Sequence, residues 1–455
     1  MKKLISGMMM ALLALGTLAL VFNVQLVRAI GTIHIRADGS IDPPTAPINT
    51  ADNVTYTLTG NITADTDGIV IERDNIVLSG AGYTITGSNP GILAPQVIGI
   101  VLTNRSNVTV RNTTIKGFSG DLFLNYSDNN VLSGNNANIG LDSSDNNVLS
   151  DNSGSISLGT SDNNVLIGNT GLVTLFQFSD NNVLSGNNAN DGIVLTYSSD
   201  NNVLSGNNVK ANGWYGIVLW SSSNNNTISG NNVTANKNGG IWLNSSSSNT
   251  ISGNNVTANT MCGIELQFSS NNNVSGNNVT ANSWYGIYLA LDSDNNSVSG
   301  NNIAANNYTG AILIYASNNF ICHNNFVNNT NQAYTEGSAN VWDDGYPSGG
   351  NYWSDYNGTG THQNETGSDG IGDTPYTIDT NNADHYPLMK PWHPLLGDLN
   401  FDGKVSLTDL VTLANAYGSK PGDKNWNPNA DIDGNGVVGL SDLVILAQHY
   451  GQHYP

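Results

Sequence analysis

Charge is scarce in this 455-residue sequence: Asp, Glu, Lys and Arg together make up 11%, against about 25% in ordinary globular domains. The charge that is present has mostly one sign. Fourteen basic residues stand against thirty-five acidic ones, a net charge of -21, which disfavours nucleic acid or an anionic membrane as partner. Cysteine is nearly absent, with only Cys262 and Cys322. Beyond the N-terminus no apolar run approaches the ~20 residues that span a bilayer. The N-terminus itself reads Met-Lys-Lys, then an apolar run from Leu4 to Phe22, then Val27-Arg28-Ala29, the layout of a secretory leader over residues 1–29. The chain is therefore expected to be secreted, extracellular or cell-surface, and membrane-attached only if the leader stays uncleaved. Its length suggests two or three domains.

Asn, Ser, Gly and Thr fill the space left by charge, and they do so periodically. The stretch TISGNNVTAN at Thr227 has near-copies at Val203, Thr250, Asn273 and Ser297, spaced 24, 23, 23 and 24 residues apart. One apolar residue of each copy serves as an anchor: Leu204, Ile228, Ile251, Val274 and Val298. The ladder runs back through Leu184, Leu166, Leu149, Leu132, Val110 and Leu78, and forward to Ile321. A disordered polar tract has no reason to keep apolar residues in register. Before each anchor comes an alternating apolar segment such as Ile241-Trp242-Leu243, and after it Val233, Val256 or Val279. Period two means short strands with one inward face, and the Asn, Ser, Gly and Asp between them make corners. Stacked at about 4.8 Å per coil, about twelve such units form a parallel β-helix ~60 Å long.

The register makes further predictions. From Leu132 to Leu184 the anchors come at 17, 17 and 18 residues because the VTAN segment is missing, so the middle of the helix should be narrower on one side. Cys262 and Cys322 fall on different sides several coils apart and should be unpaired. Asn pairs such as Asn225-Asn226 and Asn231-Asn232 should stack into amide ladders. Three of these Asn, Asn232, Asn255 and Asn278, lie in N-x-T sequons, where glycosylation competes with the ladder. Asp128, Asp145, Asp162, Asp180 and Asp200 form a carboxylate column at a turn, solvated or bridged by calcium.

These repeats resemble the units of right-handed parallel β-helices of the NosD-like class over about Asp67 to Phe326, a class that includes carbohydrate-binding proteins and sugar hydrolases. The segment GTIHIRADGSIDPPTAPI lacks the repeat, and residues 30–66 are expected to form an N-terminal cap ahead of coils at 67–330. Residues 331–396 carry Asn351-Tyr352-Trp353-Ser354-Asp355-Tyr356 and Asp369-Gly370-Ile371-Gly372-Asp373-Thr374-Pro375-Tyr376, similar to the C-terminal signature of the same class and expected to cap the other end. Asp369 and Asp373 serve there as turn formers or cation ligands. The class name implies copper-centre maturation. The soft ligands His34, His323, His362, His385, His393, His449, His453, Met261 and Met389 are scattered along the chain and form no cluster.

The strongest chemistry lies at 397–455. Asp398, Asn400, Asp402, Lys404, Ser406 and Asp409 occupy positions 1, 3, 5, 7, 9 and 12 of a calcium loop, with Gly403 at the sharp turn and Lys404 offering its backbone carbonyl. Thirty-three residues on, Asp431, Asp433, Asn435, Val437, Gly439 and Asp442 repeat the pattern, with water substituting at Gly439. Each loop precedes a helical pattern, Leu407-Leu410-Val411-Ala414-Tyr417 and Leu440-Leu443-Val444-Ala447-Tyr450, read as one apolar face. Pro391, Pro394, Pro421 and Pro428 argue against entering helices. Loop-then-helix, twice, resembles a type I dockerin over Gly397 to Gly451. That resemblance implies two calcium ions, a cohesin partner and cohesin contacts at Leu407, Thr408, Leu440 and Ser441.

The fold class is thus all-β, a right-handed parallel β-helix with a small α-helical calcium-binding domain at its C-terminus. Three uses of the β-helix stay open: a polysaccharide-binding module, a glycoside hydrolase or lyase, and a passive scaffold. Hydrolases need two placed carboxylates, and Glu265 and Asp292 show no partner in register; Lys210 and Lys237 stand alone. For binding, Trp242 and Tyr288 fall at outward positions of their strands, while Trp214, Trp284 and Tyr308 lie just before the strand, so the five could present flat rings to sugar.

Overall fold

The computed structural model describes residues 31–452 except 89–96, 347, 357–369, 393–394, 401–403, 421–422 and 434. The leader segment, Asp369 and Asp402 lie outside the described residues. The body is a parallel β-helix of three sheets. A fifteen-stranded sheet contains Ile217–Trp220, Ile241–Asn244 and Ile264–Gln267; a fourteen-stranded sheet contains Thr227–Ser229 and Thr250–Ser252. All pairings between successive coils are parallel, and the anchors pair in line: Leu78 with Val110, then Leu132, Leu149, Leu166, Leu184, Leu204, Ile228, Ile251, Val274, Val298 and Ile321. These side chains are buried and fill a single continuous core. Each coil contributes apolar surface that only its neighbours can cover, so stability is shared along the stack.

The third sheet shows what the short repeats do. It has three strands at the N-terminal end, among them Thr114–Lys116, and seven from Asn208–Lys210 onward. Between them it thins to single bridges running from Thr114 through Asn136, Ser153, Thr170 and Asn188 to Asn208. The missing residues are therefore taken from one side, as the spacing predicts.

The corners are held by asparagine. In the pair Asn225-Asn226 one member is buried and the other exposed: Asn225 turns the chain at φ 56°, while Asn226 joins an internal column. Three such columns run up the helix, through Asn202-Asn226-Asn249, Asn207-Asn231-Asn254 and Asn212-Asn236-Asn259. Each side-chain oxygen accepts the backbone N–H of the coil before, which pairs backbone groups that the corner takes out of the sheets.

The N-terminal segment differs from expectation. Residues 33–64 are not only a cap; they make a coil. Ile33–Ile35, Thr55–Leu58 and Ile62–Ala64 pair in parallel with Ile69–Ile71, Ile76–Ser79 and Thr84–Gly87, and Tyr56 takes the anchor position opposite Leu78. The anchor there is a tyrosine, which disguised the repeat. The covering is done by two short antiparallel strands, Ile41–Asp42 and Ile48–Asn49. At the far end Asn331–Glu336 and Tyr352–Trp353 still pair in register, so the stack has more layers than twelve. There Trp353 stacks between Phe326 at 4.4 Å and Tyr376 at 4.2 Å, and with Trp342 it plugs the core. Asp384 ties the block down by accepting from the Trp353 indole and the Asn351 backbone.

The C-terminal region has its own small core of Leu399, Val405, Leu413, Ala416, Ala430, Val438 and Leu446. It carries α1 (Leu407–Ala416) and α2 (Leu440–His449), with a short 3-10 turn at Pro428–Ala430. Among the described residues no helix is long and apolar enough to cross a membrane.

Candidate functional site

Each acidic loop closes on the aspartate of the following helix. Asp409 is fully buried: its Oδ1 accepts from the N–H of Leu399 and Asn400, and its Oδ2 from the N–H of Ser406. Asp442 does the same, accepting from Asp433 and Gly439. An aspartate in the first helical turn also meets the positive end of the helix dipole, so one carboxylate both starts the helix and fixes the loop. Asp431 accepts from Asn435 and Gly436, which folds the turn, and Gly436 stands at φ 84° where a side chain would strain.

Among the described residues one group of three has the spacing to hold a metal: ligand oxygens of Asp431, Asp433 and Asp442 lie within 4.8 Å of one another. All are hard carboxylate donors on a turn, and Asn435 and the Val437 carbonyl add neutral oxygens at the sequence positions a calcium loop uses. That donor set fits calcium rather than a soft metal. In the first loop Asp398 and Asp409 are both buried, while Asp402 lies outside the described residues.

The helices do not have the single apolar face expected. Leu413 and Leu446 are buried and Leu410 and Leu443 partly so, but Leu407, Val411 and Tyr417 of the first unit and Leu440, Val444 and Tyr450 of the second are exposed. Two apolar stripes share each helix, one packed inside and one facing solvent. Thr408 and Ser441 lie on the exposed side beside the leucines.

A second set of residues gathers on the outer face of the fifteen-stranded sheet. Trp214, Trp284 and Tyr308 are exposed. Trp242 and Tyr288 occupy outward positions, in one column with Glu265 between them, but they are half-buried and not open platforms. Tyr215 stacks on Trp242 at 5.0 Å and Trp214 meets it edge-on at 5.6 Å; Tyr285 covers Tyr288 at 5.5 Å. Glu265 has no second carboxylate in its column, but it accepts two hydrogen bonds: Tyr215 donates to it across 2.8 Å and Gln267 across 2.6 Å. Asp292 sits apart at an exposed, left-handed corner.

The turn aspartates act as backbone acceptors. Asp128 accepts the N–H of Asp145, Asp145 that of Asp162, and so on to Asn224 on Asp200, at 2.6–2.8 Å. Burial, with repulsion from the neighbouring aspartates, pushes Asp145, Asp162 and Asp180 upward. The sequon residues Asn232, Asn255 and Asn278 form an outer ladder in which each amide nitrogen donates to the Asn one coil earlier. The described histidines are dispersed: His34 pairs with Glu72, His385 with Asp343, and His323 stacks on Trp392.

Comparison with known proteins agrees with both halves. The family described as "Periplasmic copper-binding protein (NosD)" matches residues 34–238, 174–267 and 230–358, and "Dockerin type I domain" matches 396–449. No curated protein matches the sequence. Among solved structures, the A-module of the mannuronan C-5 epimerase AlgE6 of Azotobacter vinelandii is 18% identical, with 63% of this chain and 88% of that one covered and a TM-score of 0.39. A mutant of the periplasmic alginate epimerase AlgG is 16% identical over 69% and 84%, TM-score 0.38. PfbA, a surface adhesin of Streptococcus pneumoniae, is 13% identical over 62% and 83%, TM-score 0.34. At these values the likeness concerns the β-helix alone and brings no substrate with it. With its repeats matched from residue 34 to 358 and a calcium-loop pair matched beyond them, the chain belongs to the NosD family and ends in a type I dockerin domain.

Proposed function

We propose that this chain is a secreted, polysaccharide-associated β-helix held to a cell-surface or scaffold assembly by a calcium-dependent dockerin–cohesin bond. The observation that carries this reading is the duplicated loop and helix with its uncovered outer stripe. Leu407 and Leu440, Val411 and Val444, and Tyr417 and Tyr450 are equivalent pairs, all exposed. Small domains rarely leave so many large apolar groups in solvent unless a partner covers them. Leu407, Thr408, Leu440 and Ser441 are the cohesin contacts, and two calcium ions, one per loop, hold the helices that present them. With this end committed to attachment, the β-helix is the cargo. Its exposed Trp214, Trp284 and Tyr308 offer flat rings suited to the apolar faces of sugars.

A bridging assay tests the whole reading. Beads carrying a type I cohesin should retain a soluble glucan when the full chain and calcium are present, and release it in EDTA. Beads that hold the chain but no polysaccharide would contradict the carbohydrate role. Reducing ends released from the glucan during the incubation would move the reading to a glycoside hydrolase.

A further inference from the structure

Tyr215 and Glu265 lie fifty residues apart in sequence and two coils apart in the stack, yet they share a 2.8 Å hydrogen bond. The tyrosine reaches over the intervening coil because Gly239 is there; a Cβ at that position would come within 2.5 Å of the ring. Glu265 is almost fully buried and is the only carboxylate in its outward column of Val218, Trp242, Tyr288 and Ile312. Its oxygens accept from Tyr215 and Gln267. Burial pushes its carboxyl upward, and these donors oppose the shift.

The bond sets one ring cluster. With Tyr215 fixed on Trp242, Trp214 stands edge-on to both at 5.4 and 5.6 Å and projects into solvent. Three coils on from Tyr215, Tyr285 gathers Trp284, Tyr288 and Tyr308 at 5.5–6.1 Å into a second cluster. The opposite edge of the same face carries exposed Phe268 and Tyr315, both at φ 50°. A left-handed backbone is unfavourable for a bulky residue, and rings about half exposed there recover only part of that cost in packing. Charge narrows what could lie on this face. Between residues 117 and 389 the only Lys or Arg are Lys210, on the neighbouring sheet, and Lys237, so an acidic glycan would meet a buried carboxylate and almost no counter-charge.

We infer that this face binds an uncharged polysaccharide across the two ring clusters, and that Glu265 is a positioning residue which acts through Tyr215 to set the first of them. The inference rests on the carbohydrate reading above and narrows it to a neutral ligand and a named site. Apolar sugar faces stack on the exposed rings, and no ion pair is needed.

Affinity electrophoresis of the full chain in calcium, through gels holding either hydroxyethylcellulose or polygalacturonate, tests this. Retardation is expected with the neutral glucan alone. Trp214→Ala and Trp284→Ala should each weaken it about tenfold, the loss of one ring contact. Tyr215→Phe should also weaken it, whereas Glu265→Gln keeps an acceptor for the tyrosine and should stay within about threefold of the parent, and Glu265→Ala should not. A Glu265→Gln variant as impaired as Glu265→Ala would overturn the positioning role. Stronger retention by polygalacturonate, or neutral-glucan binding that survives both tryptophan changes, would overturn the site while leaving a carbohydrate role standing. No retention by any glycan would overturn both.

Discussion

Asn254 accepts the backbone N–H of Asn231, and its amide donates to the carbonyl of Ile228 and to Asn277, each at 2.9 Å. Replacing it with leucine strands an N–H and a carbonyl inside the helix. At roughly 1–3 kcal/mol per unsatisfied buried group, Asn254→Leu should cost about 3 kcal/mol, read as a lower urea midpoint. The cysteines give a second residue-scale outcome. Both are free and buried, and burial pushes both thiols well above their usual range. Thiol reagent at pH 8 should find neither in the folded chain and both after unfolding without reductant; finding neither after unfolding would mean a disulfide and a wrong register. The asparagines were legible in the sequence because they recur with the anchors. The Tyr215–Glu265 bond was not, because it skips a coil and depends on Gly239, a residue whose only sign is a missing side chain.

Within single elements, the second calcium loop should bind more weakly than the first, since Gly439 supplies no side-chain oxygen where the first loop has Ser406. Calorimetric titration of EDTA-stripped protein should resolve two affinities, and Gly439→Ser should bring them together. A single unchanged affinity in that variant would contradict the ligand assignment. The C-terminal block supplies a pH dependence. Burial pushes Asp384 up to about 7 against the N–H donors of Asn351, Trp353 and Tyr386, while an unfolded aspartate titrates near 3.9. The folded state holds this proton more tightly, so stability falls as pH rises from about 4 to about 7. Asp384→Asn should flatten that part of a thermal-midpoint profile. The helix pattern misled at this scale: Leu407, Val411 and Tyr417 fall at helical spacing like a core face, but the core took Leu413 and Ala416 instead. Periodicity identifies apolar stripes without saying whether the chain itself or a partner covers them.

At the scale of the molecule, the strand register that fixes the β-helix could be read from the anchors, and its N-terminal coil could not, because Tyr56 replaced the expected aliphatic residue. The chain's net charge of -21 disfavours anionic partners, and at the C-terminal end acidic residues recur at the positions where calcium would neutralise them. Asp398 and Asp409 in one loop and Asp431, Asp433 and Asp442 in the other belong to a domain with a core of few residues, so calcium should supply part of that domain's folding free energy. The attachment claim then reduces to one measurement: binding of the full chain to an immobilised type I cohesin, in calcium and then in excess EDTA. The account predicts stable capture in calcium, rapid release on chelation and recovery when calcium is restored; capture that persists in EDTA, or no capture in calcium, would contradict it.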